Sequence, residues 1–271
     1  MSVQRWVVSA SFGASLSLLA CPAFADCSAL PSWSALRAAL TSAVTAGNGG
    51  LGFNMWGTLI ANDGTVCAVA HSGATVADQW LGSRVISAQK ANTANDFSLG
   101  NGNTPSTSLF PSGLSLSTAN LYSAVQPGGS LYGLQHSNPV DTEVAYSNEA
   151  NQTGDAAFGT SNDPMVGHRI GGVNVFGGGL ALYRGGVKVG GVGVSGDTSC
   201  TDHSVAWRVR NNLGLDQLSG VGGVSGDPTH PDNIIYDITP NPDGGTGISK
   251  GGFGHPTCIN TPDQTKLPPV H

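Results

Sequence analysis

Lys90 and Thr93 lie in a stretch, Ser83 to Phe97, whose spacing predicts a helix. At roughly 100° per residue, Ile86, Lys90, Thr93 and Phe97 fall within about 60° of one another. An ammonium and a hydroxyl therefore share a stripe with two apolar side chains, and polar groups on a buried stripe need partners. One solution is structural: a lysine whose stem snorkels along apolar surface and a threonine bonded to its own backbone. The other is functional: a lysine among apolar groups has a lowered pKa and can act as a base or meet an anionic ligand.

The remaining reactive side chains are scattered. Histidines stand at 71, 136, 168, 203, 230, 255 and 271, with no His-x-x-x-His pair. Cys200 and His203, one helical turn apart, have the spacing of two metal ligands, but a disulfide at Cys200 with His203 on the surface is the simpler expectation. Asp227, His230 and Asp232 form a weak loop-borne metal pattern. Gly193-Val194-Ser195-Gly196-Asp197 approaches a nucleophile elbow, yet Asp197 occupies the position of the second glycine. The same string recurs at Gly223 to Asp227, where Pro228 follows. No phosphate-binding loop or dinucleotide fingerprint occurs.

Export sets the chemical setting. Arg5, an apolar run from Trp6 to Ala20 and Pro22-Ala23-Phe24-Ala25 have the anatomy of a cleavable signal over residues 1–25. The run is shorter than the roughly 20 residues that span a bilayer. Leu18-Leu19-Ala20-Cys21 approximates a lipobox, with Pro22 spoiling the match. Cleavage leaves Cys27, Cys67, Cys200 and Cys258, an even set in an oxidising compartment; two disulfides are expected, and three connectivities are open. A periplasmic or secreted location follows. With a net charge of −6 and 10% charged residues, the chain lacks the basic surface that nucleic acid requires, and no second apolar run crosses a membrane.

These side chains must be placed by a small set of elements. Trp33, Leu36, Leu40 and Val44 mark a helix that Pro31 opens and Gly47-Asn48-Gly49-Gly50 closes. Phe53–Ala61 and Thr65–Ala70 read as a hairpin around Asn62-Asp63-Gly64. Gly178–Gly196 reads as a second hairpin turning at Arg184-Gly185-Gly186, with a bulge at Gly190-Gly191. Ser117 caps a short helix, and Ser199 with Asp202 resembles a capping box for a helix carrying Ala206, Val209 and Leu213. Ile234–Ile238 is a further strand candidate, and residues 255–271 read as a surface tail.

In this order the motifs resemble the GlcG/HbpS-like haem-binding family, related to the C-terminal domain of PduO-type proteins. The resemblance is carried by Gly57-Thr58-Leu59-Ile60-Ala61-Asn62-Asp63-Gly64-Thr65-Val66, by Ser83 to Ala94 with its Lys90-Ala91-Asn92-Thr93-Ala94, and by Gly178-Gly179-Leu180 with Val189 to Asp197. It implies a single α/β domain, an antiparallel sheet of about five strands flanked by helices, assembled as a homo-oligomer. The domain spans 26–215, with an insertion at about 99–169 and a loop-rich extension, 216–271, packed on it; typical members have neither.

The resemblance also implies a tetrapyrrole ligand, haem before corrinoid. Lys90, Thr93, Ser195 and Asp197 match motif positions; Lys90 or Arg84 would meet propionates, and His71, His136 or Thr93 would approach iron. The leading expectation is thus an exported haem-binding protein serving haem or iron handling or redox sensing. The alternatives are a small-molecule enzyme on the same scaffold, with Lys90, Thr93, Ser195 and Asp197 around one cleft, and an accessory subunit of a larger complex.

Overall fold

A computed structural model of the 271-residue chain describes residues 27–146 and 156–271. The expected signal over 1–25 lies outside the described residues. The opening helix α1 spans Trp33–Val44, and the Ser32 hydroxyl accepts from the Ala35 amide at its N-terminus. Pro31 therefore precedes the cap instead of sitting in the first turn. Leu36, Ala39, Leu40 and Ala43 are buried, the i, i+3, i+4, i+7 stripe of a helix with one apolar face.

Two hairpins form the sheet. β1 (Trp56–Ala61) turns through Asn62-Asp63-Gly64 into β2 (Val66–His71), and Gly64 adopts φ 86°, which only glycine takes cheaply. β3 (Gly179–Arg184) turns through Gly185 and Gly186 into β4 (Val187–Ser195). Leu182 pairs with Gly190 and Tyr183 with Lys188, so Val189 is the extra residue of a bulge next to the expected position. β1 and β4 join antiparallel, Trp56 opposite Ser195 and Ala61 opposite Gly190. Among the described residues the order is β2-β1-β4-β3: four strands, not about five. The Ile234–Ile238 candidate does not join this sheet. Only its last residue is in a strand, the short β5 (Ile238–Thr239) paired with β6 (Ile248–Ser249).

Alternation along the strands gives the sheet two apolar faces. On one, Leu59, Leu180, Leu182, Val192 and Val194 pack with α1 and the last long helix, α5 (Ser199–Asn212). On the other, Trp56, Ile60, Val66 and Val69 pack with Val85, Ala88 and Ala91 of α2 (Ser83–Asp96). Gly191 and Gly193 of β4 face α2, where a Cβ would strike the Ala91 and Ser87 carbonyls. The missing side chains let the helix rest directly on the strand backbone.

α2 is buried nearly all round, because described residues between 99 and 175 cover its outer side. That region is mostly irregular, with short helices α3 (Leu134–Ser137) and α4 (Thr142–Tyr146) and two 3-10 turns; Ser117 and Asn120 cap the first of these, Thr118–Leu121. Disulfides join Cys27 to Cys67 and Cys200 to Cys258, settling the open connectivity. Residues 255–271 are more than a surface tail: His255 and Leu267 are buried, and the Trp207 indole N–H donates to the Pro268 carbonyl at 2.8 Å. Among the described residues no helix is long and apolar enough to cross a membrane.

Candidate functional site

The motif residues divide into two buried clusters. In the first, α2 points Lys90 into the junction between β4 and the start of α5. Its Nζ donates to Asp202 Oδ2 at 2.7 Å, to the Val194 carbonyl at 3.2 Å and to Ser195 Oγ at 3.4 Å. Asp202 Oδ1 in turn accepts from the Gly196 and Asp197 amides at 3.1 and 2.9 Å. Burial opposes both charges: it lowers the Lys90 pKa and raises Asp202 to about 6, while each partner's charge works the other way. The Asp197 carboxylate accepts from the Leu51 and Phe53 amides at 2.9 and 3.1 Å. All these groups serve one another, and Lys90 is 1% exposed.

Asp202 was expected as part of a capping box with Ser199. The cap is Thr198 instead, whose side chain accepts from the Thr201 amide. Asp202 is thereby free to turn inward and neutralise Lys90.

The second cluster lies at the β2 edge, on the α2 face. His71 stands opposite Trp56 across the hairpin, their rings 5.3 Å apart. His71 Nδ1 is 3.0 Å from the Gly73 carbonyl. A carbonyl only accepts, so Nδ1 carries the proton and Nε2 the lone pair. Burial lowers the His71 pKa, with the Gly73 contact and the Asp78 charge opposing it and the Arg37 charge adding to it, which favours the neutral ring. Arg84, in the first turn of α2, forms a two-point pair with Asp163: Nε to Oδ2 at 2.8 Å and Nη2 to Oδ1 at 2.5 Å. Its guanidinium lies 4.1 Å from the Phe158 ring centroid.

One stretch, residues 157–165, covers both. Gly159 sits so close to His71 and Trp56 that a Cβ there would collide with both rings. Its amide donates to Asp163 Oδ2 at 2.8 Å, its carbonyl accepts from the Trp33 indole at 2.9 Å, and the Met165 amide donates to Asp163 Oδ1 at 2.9 Å. Asp163 is thus the knot of an irregular turn as well as the counter-ion of Arg84. No motif pointed to Asp163 or Phe158; both lie in the expected insertion at about 99–169.

The other expected residues lie apart. Thr93 Oγ1 donates to the Gln89 carbonyl and accepts from the Asn174 amide, the backbone-bonded solution. His136 is exposed on α3. His203, expected at the surface, is fully buried with Nε2 3.0 Å from Asn233 Oδ1, and burial pushes its pKa down to about 4. The Asp227, His230, Asp232 pattern is split: Asp227 pairs with His230 at 2.9 Å, while Asp232 is buried against Arg210. An open groove of about 630 Å³ runs along α1, lined by Trp33, Arg37, Thr41, Thr45 and Ser72. The groove borders the His71 cluster, because its Trp33 indole is bonded to Gly159, which packs on the His71 ring.

What the two clusters can do differs. The Lys90 cluster has no unmet polar group to offer a ligand. The His71–Arg84 cluster holds an imidazole, a guanidinium and aromatic surface, groups that can offer a metal ligand, an anion partner and a stacking face to one small molecule. Its cover is a loop rather than a helix or strand.

No curated protein matches the chain. Among solved structures, a PduOC:heme complex is 22% identical, with a TM-score of 0.42 over 66% of this chain and 90% of that one. The Klebsiella pneumoniae protein ORFY is 22% identical, with a TM-score of 0.41 over 68% and 90%. A double mutant of Streptomyces reticuli HbpS is 14% identical, with a TM-score of 0.37 over 76% and 99%. The sequence model of the family described as "Haem degrading protein HbpS-like" matches residues 74–210, half of the chain, and the chain belongs to that HbpS-like family.

Proposed function

We propose that this protein is an exported tetrapyrrole-binding protein, taking haem in preference to a corrinoid, at the His71–Arg84 cluster. The observation that carries the reading is the placement of a neutral, tautomer-fixed imidazole and a guanidinium under the same irregular turn. Family membership supports it. His71 Nε2 supplies the iron ligand, and Arg84 meets a propionate in place of Asp163. Trp56, Val85 and Met165 supply apolar surface. Bound haem would add redox-active iron to a buried, apolar setting. Binding requires the 157–165 turn to lift, so Asp163 acts as an internal carboxylate holding the site closed.

The two disulfides and the signal anatomy support a periplasmic or secreted location, where haem or iron handling or redox sensing is the role. A homo-oligomer is part of the same proposal.

Hemin titration of the oxidised protein, read in the Soret band, tests this. A saturable one-to-one shift is expected, weakened at least about tenfold in His71→Ala and strengthened in Asp163→Asn, which frees Arg84. A linear, non-saturating response overturns haem binding. Saturable binding unchanged in both variants overturns the site but not the ligand.

A further inference from the structure

A second constellation, at the start of α5, shares no residue with the proposed haem site and is independent of it. Cys200, His255 and Cys258 each bring one ligand atom to a common point, all within 4.8 Å of one another, with Cys200 and His255 buried. In the oxidised protein the two sulfurs are joined. We propose that reduction of this disulfide converts the position into a two-cysteine, one-histidine site for a soft divalent ion, Zn²⁺ first.

The geometry carries it in three parts. A Zn–S bond of about 2.3 Å in tetrahedral coordination separates two sulfurs by about 3.8 Å. The Cα atoms are already 6.0 Å apart, so rotations of the two cysteine side chains open that space without moving the backbone.

The ligands also stay in place when the S–S bond is gone. The His255 amide donates to the Ile235 carbonyl at 2.8 Å, and the Cys258 amide donates to Thr261 Oγ1 at 2.8 Å. The Tyr122 ring packs 4.9 Å from the imidazole. The Gly50 amide reaches the Asn260 carbonyl at 2.9 Å.

A supporting shell is present as well. His255 Nε2 is 2.7 Å from Ser199 Oγ and Nδ1 is 2.6 Å from the Pro256 carbonyl. Whichever nitrogen turns to the metal, the other keeps a partner that fixes the ring, as metal-bound histidines require. The Cys200 amide, in the first turn of α5, donates to Cys258 Sγ at 3.2 Å, a contact that strengthens when that sulfur becomes a thiolate.

The chemistry balances. A dithiol reductant gives two electrons and two protons to the disulfide, leaving two thiols and its own disulfide. Binding of the divalent ion then releases the two thiol protons to solvent, so two thiolates, a neutral imidazole and the ion make an uncharged site. That neutrality removes the cost of burying the charges separately. The fourth position is left for water or an incoming ligand.

The test is a titration of the reduced and oxidised chain with Co²⁺ and Zn²⁺, reading thiolate-to-cobalt charge transfer and metal content. One equivalent is expected in the reduced protein and none in the oxidised one. Cys258→Ser abolishes the charge-transfer band, and His255→Asn weakens binding at least about tenfold. A chain with Cys21, Cys27 and Cys67 all replaced by serine keeps the full signal, which assigns it to the remaining pair. Equal binding by His255→Asn and the unsubstituted reduced chain overturns the proposal. So does loss of folded circular dichroism on reduction, or the absence of a stoichiometric band.

Discussion

Two buried ion pairs on the same helix have opposite prospects. Lys90 and Arg84 both project from α2, both are nearly inaccessible, and each meets one aspartate. Their partners differ in kind. Asp202 belongs to α5, a 14-residue helix packed against the sheet. Asp163 belongs to a turn whose amides it must itself gather. Removing Asp202 from Lys90 means breaking the core, while removing Asp163 from Arg84 means lifting a loop. A buried cation is a fixture or a receptor according to what its counter-ion is built into.

The largest break in this comparison is expected from Asp202→Asn, which strands a buried ammonium and costs about 3–5 kcal/mol. Asp163→Asn is expected to cost less, about 1–3 kcal/mol, because the freed guanidinium can reach water when its loop opens locally. Denaturant unfolding of the two variants decides; equal losses would mean that the turn is as integral as α5.

The pH dependence is a smaller effect. Burial pushes His203 and His255 down to about 4, below the ordinary histidine value of about 6.5. The unfolded chain therefore takes up protons that the folded one refuses, and stability is lost as pH falls from about 6.5 toward 4. Asp202, raised to about 6 by burial, works the other way, binding a proton in the folded state over much of the same range. Two histidines outweigh one aspartate, so the melting temperature should fall between pH 7 and pH 4.5. A rise would show that the Lys90 pair dominates.

The smallest effect is expected at the α1 groove. Arg37→Ala should change stability by no more than about 0.5 kcal/mol and weaken hemin binding less than His71→Ala does, since Arg37 lines the groove and reaches His71 only through its charge. A loss larger than that of His71→Ala would move the ligand into the groove.

Elements defined by local pattern were legible in the sequence. The Asp63-Gly64 and Gly185-Gly186 turns and the α1 stripe needed only residue type and spacing. The polar face of α2 was legible as a problem, an ammonium and a hydroxyl on a buried stripe, but its solutions were not. Asp202 stands 112 residues from Lys90 and Asp163 stands 79 from Arg84. Asp202 also imitated a capping residue, because a carboxylate at the start of a helix serves either role. His203 is buried rather than exposed because Asn233 and Ile234, about 30 residues on, close over its ring. Partnership between distant polar groups leaves no periodic trace.

The strand order has a further bearing on how the molecule assembles itself. Each hairpin closes across a few residues, yet the central seam joins β1 to β4 across more than a hundred. Contacts of that separation form late and slowly, since a long loop must be closed before they repay it. Until then both hairpins present a bare edge to solvent. Pulsed hydrogen exchange should find the β1–β4 amides protected after those of the two hairpins. In the interval the chain is at its most vulnerable to pairing with a neighbour through those edges.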